Sequence, residues 1–381
     1  MTVFDLALRP VRFPEEAMSL RAEVRAFLDE QIDGGAFVPA CDTWLGGFSS
    51  DFSRELGRRG WVGMTWPAAY GGHGRSAIER FVVIEELLAA GAPVAAHWVS
   101  DRQTGAALLK YGTEEQRLRF LPGMARGETY FAIGMSEPDS GSDLASVATR
   151  AERTESGWRL NGTKVWTSNA HRVQYMLTLC RTTPRSQTDR HGGLSQFIVD
   201  LQTPGVQVRP ILLMNGEHHF NEVILENVEI PDELVLGEIG NGWEQVGSEL
   251  AYERSGPERF LSTFPLFKAF VAVAGAQPDA RSHAVVGEVA ARVWAVRQMS
   301  LGVAGALDVG AAPDVQAALV KDVGTTLEQE MVDLIRRALP PEPGGHLESL
   351  LAQATLHAPG FTLRGGTNEI LRSIISKGLG L

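Results

Sequence analysis

The stretch FAIGMSEPDSGSD, residues 131–143, is where the character of this chain changes. It begins as a short apolar segment of the kind that forms a strand, and it ends in small polar residues around Gly141. Hydroxyls and backbone amides at a strand end can hold a polar ring edge or a phosphate, although a solvated turn has the same composition. The stretch therefore marks the start of a β-region and a first candidate binding loop.

Helical patterns occupy the chain before this stretch. Apolar residues recur at helical spacing from residue 14 to about residue 130, and Ser76 stands where it would cap the segment that reads SAIERFVV. Residues 60–74 are rich in glycine, proline and aromatic residues, which predicts an irregular connecting loop. The first part of the chain is therefore predicted to be helical.

Short strands are predicted between residues 130 and 230, where β-branched and aromatic residues are frequent. Asn161-Gly162 tolerates the positive φ angles of a tight turn, so we expect a hairpin there. Beyond residue 231 long amphipathic segments return, as in an up-and-down bundle. The predicted fold class is α+β, with a helical domain at 1–128, a β-domain at 129–232 and a helical bundle at 233–381.

Composition narrows the functional classes. With 381 residues, 44% of them hydrophobic and 21% charged, the chain has the make-up of a soluble globular protein. A formal net charge of -11 repels phosphate backbones and anionic lipids, so we expect neither nucleic acid nor membrane as a partner. Cys41 and Cys180 lie far apart, and no secretory segment or long apolar run is evident, which favours a cytoplasmic protein.

Two further clusters carry possible chemistry. In residues 166–170, Trp-Thr-Ser-Asn-Ala, a flat aromatic side chain stands beside hydroxyls, although an ordinary core tryptophan fits the same pattern. In residues 364–370, Arg-Gly-Gly-Thr-Asn-Glu-Ile, two glycines precede a threonine placed to cap a helix. Backbone amides at such a helix start favour an anionic or strongly polar ligand, and a plain capping loop is the alternative.

Taken together, the three clusters resemble one family, the acyl-CoA dehydrogenases, flavoproteins that introduce a 2,3 double bond into acyl-CoA thioesters. The resemblance rests on FAIGMSEPDSGSD, NGTKVWTSNA and GGTNEILR in the family's order and spacing. It implies an N-terminal helical domain, a middle β-barrel and a C-terminal four-helix bundle, assembled as a dimer of dimers. The lack of a G-x-G-x-x-G fingerprint agrees with it, because this family does not hold FAD on a Rossmann domain.

The resemblance also assigns contacts with FAD. Residues of the first motif line the flavin ring, and Ser142 among them also faces the CoA arm. Trp166 flanks the isoalloxazine ring. Ser168 lies near N5, the flavin atom that receives the hydride. Residues of the last motif contact the phosphate or adenosine part, and the paired glycines let the backbone close over it. The implied FAD contacts are Ile133, Met135, Ser136, Gly141, Ser142, Trp166, Ser168, Gly366, Thr367 and Glu369.

The reaction also needs a base for the proton next to the thioester, and a carboxylate in a water-free apolar pocket has its pKa raised toward neutrality. Many members carry this glutamate just before the Gly-Thr of the last motif, but this chain has no acid there. A second branch places Glu followed by Arg on the first long C-terminal helix, which matches Glu253 and Arg254 in SELAYERSG. We therefore assign Glu253 as the base, and Arg254 as a residue that positions the base or the substrate. The alternatives are that Glu253 is an ordinary solvated glutamate on a helix and that Arg254 forms a surface ion pair.

The C-terminal half departs from the family's common pattern. An Arg-x-x-Phe motif and a Gln-x-x-Gly-Gly segment, which hold the adenosine half of FAD across a subunit boundary, are not clear in residues 280–294 and 339–353. Together with residues 213–231, this half is similar to actinobacterial members that act on CoA thioesters of steroid side chains. Some of these assemble from two different subunits.

The sequence thus predicts an FAD-dependent acyl-CoA dehydrogenase, a homotetramer or heterotetramer that is reoxidised by an electron-transferring flavoprotein. A non-catalytic partner subunit, which completes a site on another chain, is the alternative from a different class. A flavin monooxygenase or oxidase on the same fold is a third. His218 and His219 beside Glu217 lack the spacing of a helical metal site and are interpreted as turn or interface residues, so no metal is predicted.

Overall fold

Helices precede and follow a continuous set of strands along the chain, in the order that the sequence predicts. The computed structural model describes residues 6–186, 188–276 and 279–381, and for residues 248–253 it describes the backbone alone. The chain divides into a helical unit, residues 1–48, 75–94 and 251–381, and a sheet unit, residues 49–74 and 95–250. The linear boundaries of the three domains stay a prediction.

The N-terminal helices begin at the caps that the sequence indicates. Ser76 accepts a hydrogen bond from the backbone of Glu79, whose side chain bonds back to residue 76, and this capping box starts α4. The loop at 60–74 is irregular except for a single 3-10 turn at Ala68–Tyr70. The helices are Glu15–Asp33 (α1), Thr43–Gly46 (α2), Ser50–Arg58 (α3), Ala77–Ala89 (α4), Ala95–Val99 (α5), Gly105–Tyr111 (α6) and Glu114–Ala125 (α7).

The strands form one sheet of eight, with β1 paired to β4 beside the main path. Their bounds are Phe131–Gly134 (β1), Arg150–Thr154 (β2), Gly157–Ser168 (β3), Tyr175–Arg181 (β4), Leu194–Asp200 (β5), Val206–Leu212 (β6), His218–Ile230 (β7) and Val235–Leu236 (β8). The order is β6-β7-β3-β2-β4-β5-β8, and among the described residues β6 and β8 are not paired with each other. The sheet is therefore open, and the expected barrel is not seen.

The hairpin predicted at Asn161-Gly162 is wrong. Strand β3 runs straight through both residues, and the turn between β2 and β3 lies at residues 155–156 instead. Gly162 has a φ of 154° at a shift in the register with β7, and a Cβ there would lie 2.4 Å from the Thr149 hydroxyl. Asn-Gly here accommodates a bulge and a close backbone approach, which the dipeptide permits as readily as a turn.

The remaining helices follow the strands, as expected for a helical C-terminal domain. Their bounds are Gly242–Glu253 (α8), Phe264–Ala276 (α9), Ala280–Asp308 (α10), Asp314–Arg337 (α11), Gly345–Phe361 (α12) and Asn368–Gly378 (α13). Asp279 caps α10 by accepting the backbone N–H of Ser282 at 2.9 Å. Among the described residues, no helix has both the length and the apolar character needed to span a membrane.

The acid Glu328 lies in the core of the helical unit and is mostly protonated. Glu328 of α11 is 1% exposed, and its Oε1 accepts the backbone N–H of Ser262 at 2.6 Å. Burial raises the pKa of Glu328 to about 8, because the hydrogen bonds from Ser262 and the charge of Arg364 only partly offset the loss of hydration. The side chain is therefore mostly uncharged at neutral pH.

Replacing Glu328 with glutamine tests this protonation state. Because the folded-state pKa of about 8 exceeds the ordinary value of 4.5, folded wild type keeps a proton that the unfolded chain loses. Wild-type stability should therefore fall as pH rises from about 4.5 to about 8, and Glu328→Gln should remove this loss, on the order of 4 kcal/mol. Urea unfolding at pH 5 and pH 8.5 measures it; a difference between the two proteins that is the same at both pH values would contradict the assignment.

Candidate functional site

A bulge near the end of β3 turns Trp166 outward. The side chains of Trp158, Leu160 and Lys164 alternate onto the buried face of the strand. The same alternation would bury Trp166, but the register with β7 shifts between Lys164 and Thr167, and Trp166 has a φ of 59°. Trp166 is in consequence 56% exposed, while its neighbour Thr167 is buried. The sequence-level alternative of a core tryptophan is excluded.

Strand β1 brings the first motif beside this tryptophan. Ile133 and Met135 are partly exposed, whereas the alternate residues Ala132 and Gly134 are buried. Just after the strand, the carbonyl of Ser136 accepts the backbone N–H of Val165 at 2.9 Å. The sheet unit thus gathers the residues predicted around the flavin ring onto adjoining segments: Ile133, Met135, Ser136, Trp166 and Ser168.

A buried ion pair fixes these segments to each other. Lys164 is fully buried, and its Nζ donates to Glu137 Oε1 at 2.7 Å and to the Met135 carbonyl at 3.1 Å. Glu137 also accepts the backbone N–H groups of Ala148 and Thr149. Burial alone would raise the pKa of Glu137, but Lys164 and these donors outweigh it and hold the pKa below its ordinary value. The carboxylate is therefore an anion that ties three backbone segments together.

The loop after β1 is a closed turn with an open tip. Glu137 and Ser140 exchange backbone hydrogen bonds of 2.7 and 3.1 Å, and the Ser140 hydroxyl donates to the Asp143 carbonyl. Gly141 and Ser142 at the tip are exposed, and a Cβ added to Gly141 would meet nothing within 4 Å. A ligand can therefore approach the backbone at this tip closely.

Strand β7 supports the far end of the Trp166 segment. Asn169, which has a φ of 56°, donates its backbone N–H to the His219 carbonyl at 2.7 Å, and Asn221 donates to the Thr167 carbonyl at 2.9 Å. His218 stacks on His171 with ring centres 3.7 Å apart. Burial, and to a smaller extent the neighbouring His218, lower the pKa of His171 to about 4, so the His171 ring is uncharged at pH 7. His218 and His219 begin strand β7, so the turn alternative for them is wrong, and the interface alternative stays a prediction.

The last motif lies in the helical unit and forms a turn of two glycines. Gly365 and Gly366 have φ angles of 66° and 83°, a conformation that glycine adopts at little cost. The fully buried Lys321 donates to the Gly366 carbonyl at 2.7 Å. An added Cβ on Gly366 would lie 4.0 Å from Arg254 Nη2, so the structure brings these two predicted residues together. Two cations therefore border this turn.

Thr367 and Glu369 begin helix α13. The Thr367 side chain accepts the backbone N–H of Ile370, as a capping residue does. Glu369 is exposed. Hydrogen bonds from the backbone N–H of Glu369 and, second, from the Thr367 side chain lower the pKa of the Glu369 carboxyl, which is therefore an anion. The predicted base Glu253 is the last residue of α8, and its side chain lies outside the described residues. The next residue, Arg254, is 8% exposed, which rules out a surface ion pair for its side chain.

Sequence reasoning missed the residues that hold the two motifs from beneath. Glu137 and Lys164 were inside the quoted motifs but were given no role, and Lys321 was not singled out at all. The alternation of β3 was a usable signal, because it places Lys164 on the same face as Trp158 and Leu160. No local pattern links Lys321 to Gly366, which are 45 residues apart in the chain.

Family models match the chain in three consecutive parts. They are the acyl-CoA dehydrogenase N-terminal domain over residues 14–128, the middle domain over residues 132–228 and the C-terminal domain over residues 270–380. Similar proteins of Mycobacterium tuberculosis include acyl-CoA dehydrogenase FadE29, 32% identical over 381 residues and covering 95% of both chains. Acyl-CoA dehydrogenase FadE34 is 34% identical over 324 residues, which are 82% of this chain and only 44% of that relative.

A solved structure agrees with these sequence matches. The protein described as Tcur3481-Tcur3483 steroid ACAD superposes with a TM-score of 0.85 at 29% identity. The match covers 97% of this chain and 98% of the other. The similarity therefore extends over nearly all of both chains, and the description of the other protein names two components.

Removing Lys164 should destabilise the sheet unit. Lys164→Met leaves Glu137 buried without its counter-charge, so we expect a loss of about 3 kcal/mol or more in unfolding free energy. The double variant Glu137→Gln/Lys164→Met should recover part of this loss, since no unpaired charge remains. Arg159→Met on the same strand breaks only an exposed pair with Glu229 and should cost less than about 1 kcal/mol. Equal urea midpoints for Lys164→Met and Arg159→Met would refute this role.

Proposed function

This chain belongs to the acyl-CoA dehydrogenase family, and we propose that it forms the α,β double bond of an acyl-CoA thioester with FAD as its cofactor. The family consists of FAD-dependent oxidoreductases that act on CH–CH groups. The observation that carries the proposal is the outward-turned Trp166, whose neighbour Val165 is bonded to the Ser136 carbonyl of the first motif. An exposed tryptophan held by a backbone bulge is costly unless a ligand covers it.

The sheet unit fits an isoalloxazine ring. Ile133, Met135 and Trp166 offer apolar and aromatic surface for a flat ring, and Ser136 and Ser168 offer hydroxyls for its polar edge. The open tip at Gly141 and Ser142 leaves room for the cofactor or the CoA arm. In our proposal these residues hold the flavin, and Ser168 lies at the atom that accepts the hydride.

The helical unit fits the other half of FAD. The start of α13, bordered by Lys321 and Arg254, is suited to phosphate oxygens. Glu369 is an anion and repels phosphate, so we propose that it accepts a hydrogen bond from an adenosine hydroxyl instead. A Cβ added to Gly366 would have no neighbour closer than 4.0 Å, so the backbone there is open to a ligand.

In the proposed reaction the chain supplies the base and its surroundings. The Glu253 carboxylate takes the proton from the carbon next to the thioester, and the buried Arg254 beside it orients that carboxylate or the substrate. When bound, FAD supplies the acceptor for the hydride. An electron-transferring flavoprotein is the proposed partner that reoxidises the loaded enzyme, and a dimer of dimers is the proposed assembly.

We further propose a bulky, steroid-derived or branched acyl-CoA as substrate. Its support is the similarity to the protein described as a steroid ACAD, which extends over 97% of this chain. A panel of butyryl-CoA, octanoyl-CoA and a steroid side-chain CoA thioester compares the three sizes. Faster flavin reduction by a straight-chain thioester than by the steroid thioester would overturn this choice.

Glutamine at position 253 tests the base. FAD-loaded Glu253→Gln should be reduced by acyl-CoA at least about a hundredfold more slowly than wild type, because the amide cannot take the α-proton. Anaerobic stopped-flow bleaching of the flavin band gives the rate. Glu244→Gln, an exposed acid at the start of the same helix, is the matched control and should react at the wild-type rate. Glu253→Gln that bleached as fast as this control would remove the assignment.

A non-catalytic partner subunit is the second candidate function. Residues 280–294, where the adenosine-holding Arg-x-x-Phe motif is expected, are continuous helix in α10, and residues 339–353 run from a proline-rich turn into α12. Neither carries the family's common motif. The similar structure with two named components favours the same reading.

The FAD content of the chain expressed alone separates the two candidates. A dehydrogenase that builds its own site should purify yellow with about one FAD per chain, quantified by release on denaturation. A half-site subunit should be colourless or well below one FAD per chain, and should gain FAD only when its partner chain is added. Full occupancy and substrate-driven bleaching without any partner would exclude the second candidate.

A further inference from the structure

A buried carboxylate near the N-terminus reaches the last motif of the helical unit. Asp42 is 4% exposed and has a φ of 56°, an unusual backbone conformation that aspartate tolerates. Its two carboxylate oxygens accept one hydrogen bond each from the two terminal nitrogens of Arg364, at 2.8 and 3.0 Å. This forked pairing fixes the orientation of the guanidinium as well as its position.

Arg364 stands directly before the glycine turn of the last motif. Its guanidinium lies 4.5 Å from the ring centre of Trp44 and 5.3 Å from that of Phe361. Gly365 and Gly366 have no side chains by which the protein can hold them, and both adopt positive φ. The position of residue 364 therefore limits where this turn and Thr367 can lie.

The same N-terminal segment holds the stretch that follows the predicted base. Trp44 donates its ring N–H to the Ser262 hydroxyl at 3.1 Å and lies 5.3 Å from the guanidinium of Arg259. The backbone N–H of Asp42 donates to the Ser262 carbonyl at 2.8 Å. Residues 42–44 thus contact Arg364, directly before the glycine turn, and also Arg259 and Ser262, a few positions after the proposed base.

We propose that Asp42, Trp44 and Arg364 form a clasp that positions the glycine turn Gly365–Thr367 to receive the cofactor. The proposal rests on the proposed function, since that function makes this turn a cofactor contact. The three are positioning residues: they act on the turn through the backbone of residue 364, and none is assigned a contact with the reacting atoms.

The chemistry of the pair favours positioning over stability alone. A buried ion pair loses hydration on both sides, so uncharged residues of similar size often stabilise a protein equally well or better. What neutral side chains do not reproduce is the two-pronged orientation of a guanidinium on a carboxylate. Glu328, another acid that interacts electrostatically with Arg364, is held mostly uncharged, so the charged partner of Arg364 is Asp42.

The test removes both charges at once. Arg364→Met alone strands a buried carboxylate and should unfold at lower urea, whereas Asp42→Asn/Arg364→Met removes both charges and should regain the wild-type midpoint. In this stable double variant, the amides of residues 366–370 should exchange with deuterium about tenfold faster in the FAD-free protein, while those of Phe131–Gly134 stay unchanged. The Kd for FAD should rise about tenfold or more.

Two further proteins complete the design. Arg364→Lys keeps the charge without the fork and should lie between wild type and the double variant in both measurements. Arg336→Met, which breaks an exposed pair with Asp333 in the same unit, is the matched control and should match wild type in both. A stable double variant with wild-type exchange at residues 366–370 would overturn the clasp, and so would faster exchange that leaves the FAD affinity at the wild-type value.

The exchange measurement needs no cofactor, so the two proposals fail separately. If wild type binds no FAD, the proposed function fails, and exchange at the glycine turn still decides whether the clasp exists. If wild type binds FAD and is bleached by acyl-CoA while the double variant shows no change in exchange, the clasp alone fails.

Discussion

The buried pair of Lys164 and Glu137 is the interaction on which the candidate flavin face depends. Lys164 reaches the Met135 carbonyl as well as the Glu137 carboxylate, and Glu137 accepts two backbone N–H groups ahead of β2. Strand β1, strand β3 and the segment before β2 therefore share one electrostatic centre. Without it, the first motif would keep the backbone hydrogen bond from Val165 to Ser136 but lose its charged link to the strand that carries Trp166.

The helical unit repeats this device at its own glycine turn. Lys321, as fully buried as Lys164, places its ammonium on the Gly366 carbonyl. In each unit, residues with positive φ angles lie beside a lysine that donates to a nearby carbonyl. These residues are Trp166 and Asn169 in the sheet unit, and Gly365 and Gly366 in the helical unit. Buried cations are costly without such partners, so each lysine also holds its own segment in place. Rigid support from beneath leaves the outer side of each segment open to a ligand.

Several features of the fold were predictable because short-range patterns specify them. The helix at Ala77–Ala89 follows from the Ser76 and Glu79 capping box, and the last helix from Thr367 as its cap. The hairpin at Asn161-Gly162 failed because Asn-Gly also suits a bulge, and only the approach of Thr149 and the pairing with β7 decide between the two. The open sheet likewise depends on which distant strands pair, which no single segment encodes.

The sequence alone determined the order of helices and strands, the three motifs and their likeness to a flavoprotein family, since each of these resides in contiguous residues. Only the tertiary structure decided that Trp166 faces outward, that Lys164 and Lys321 support the two backbone segments, and that Asp42 pairs with Arg364. These contacts join residues that are far apart in the chain, up to 322 positions for the last pair. Their energies arise from burial and from the pairing of charges in the folded protein, and a local pattern of residues contains neither.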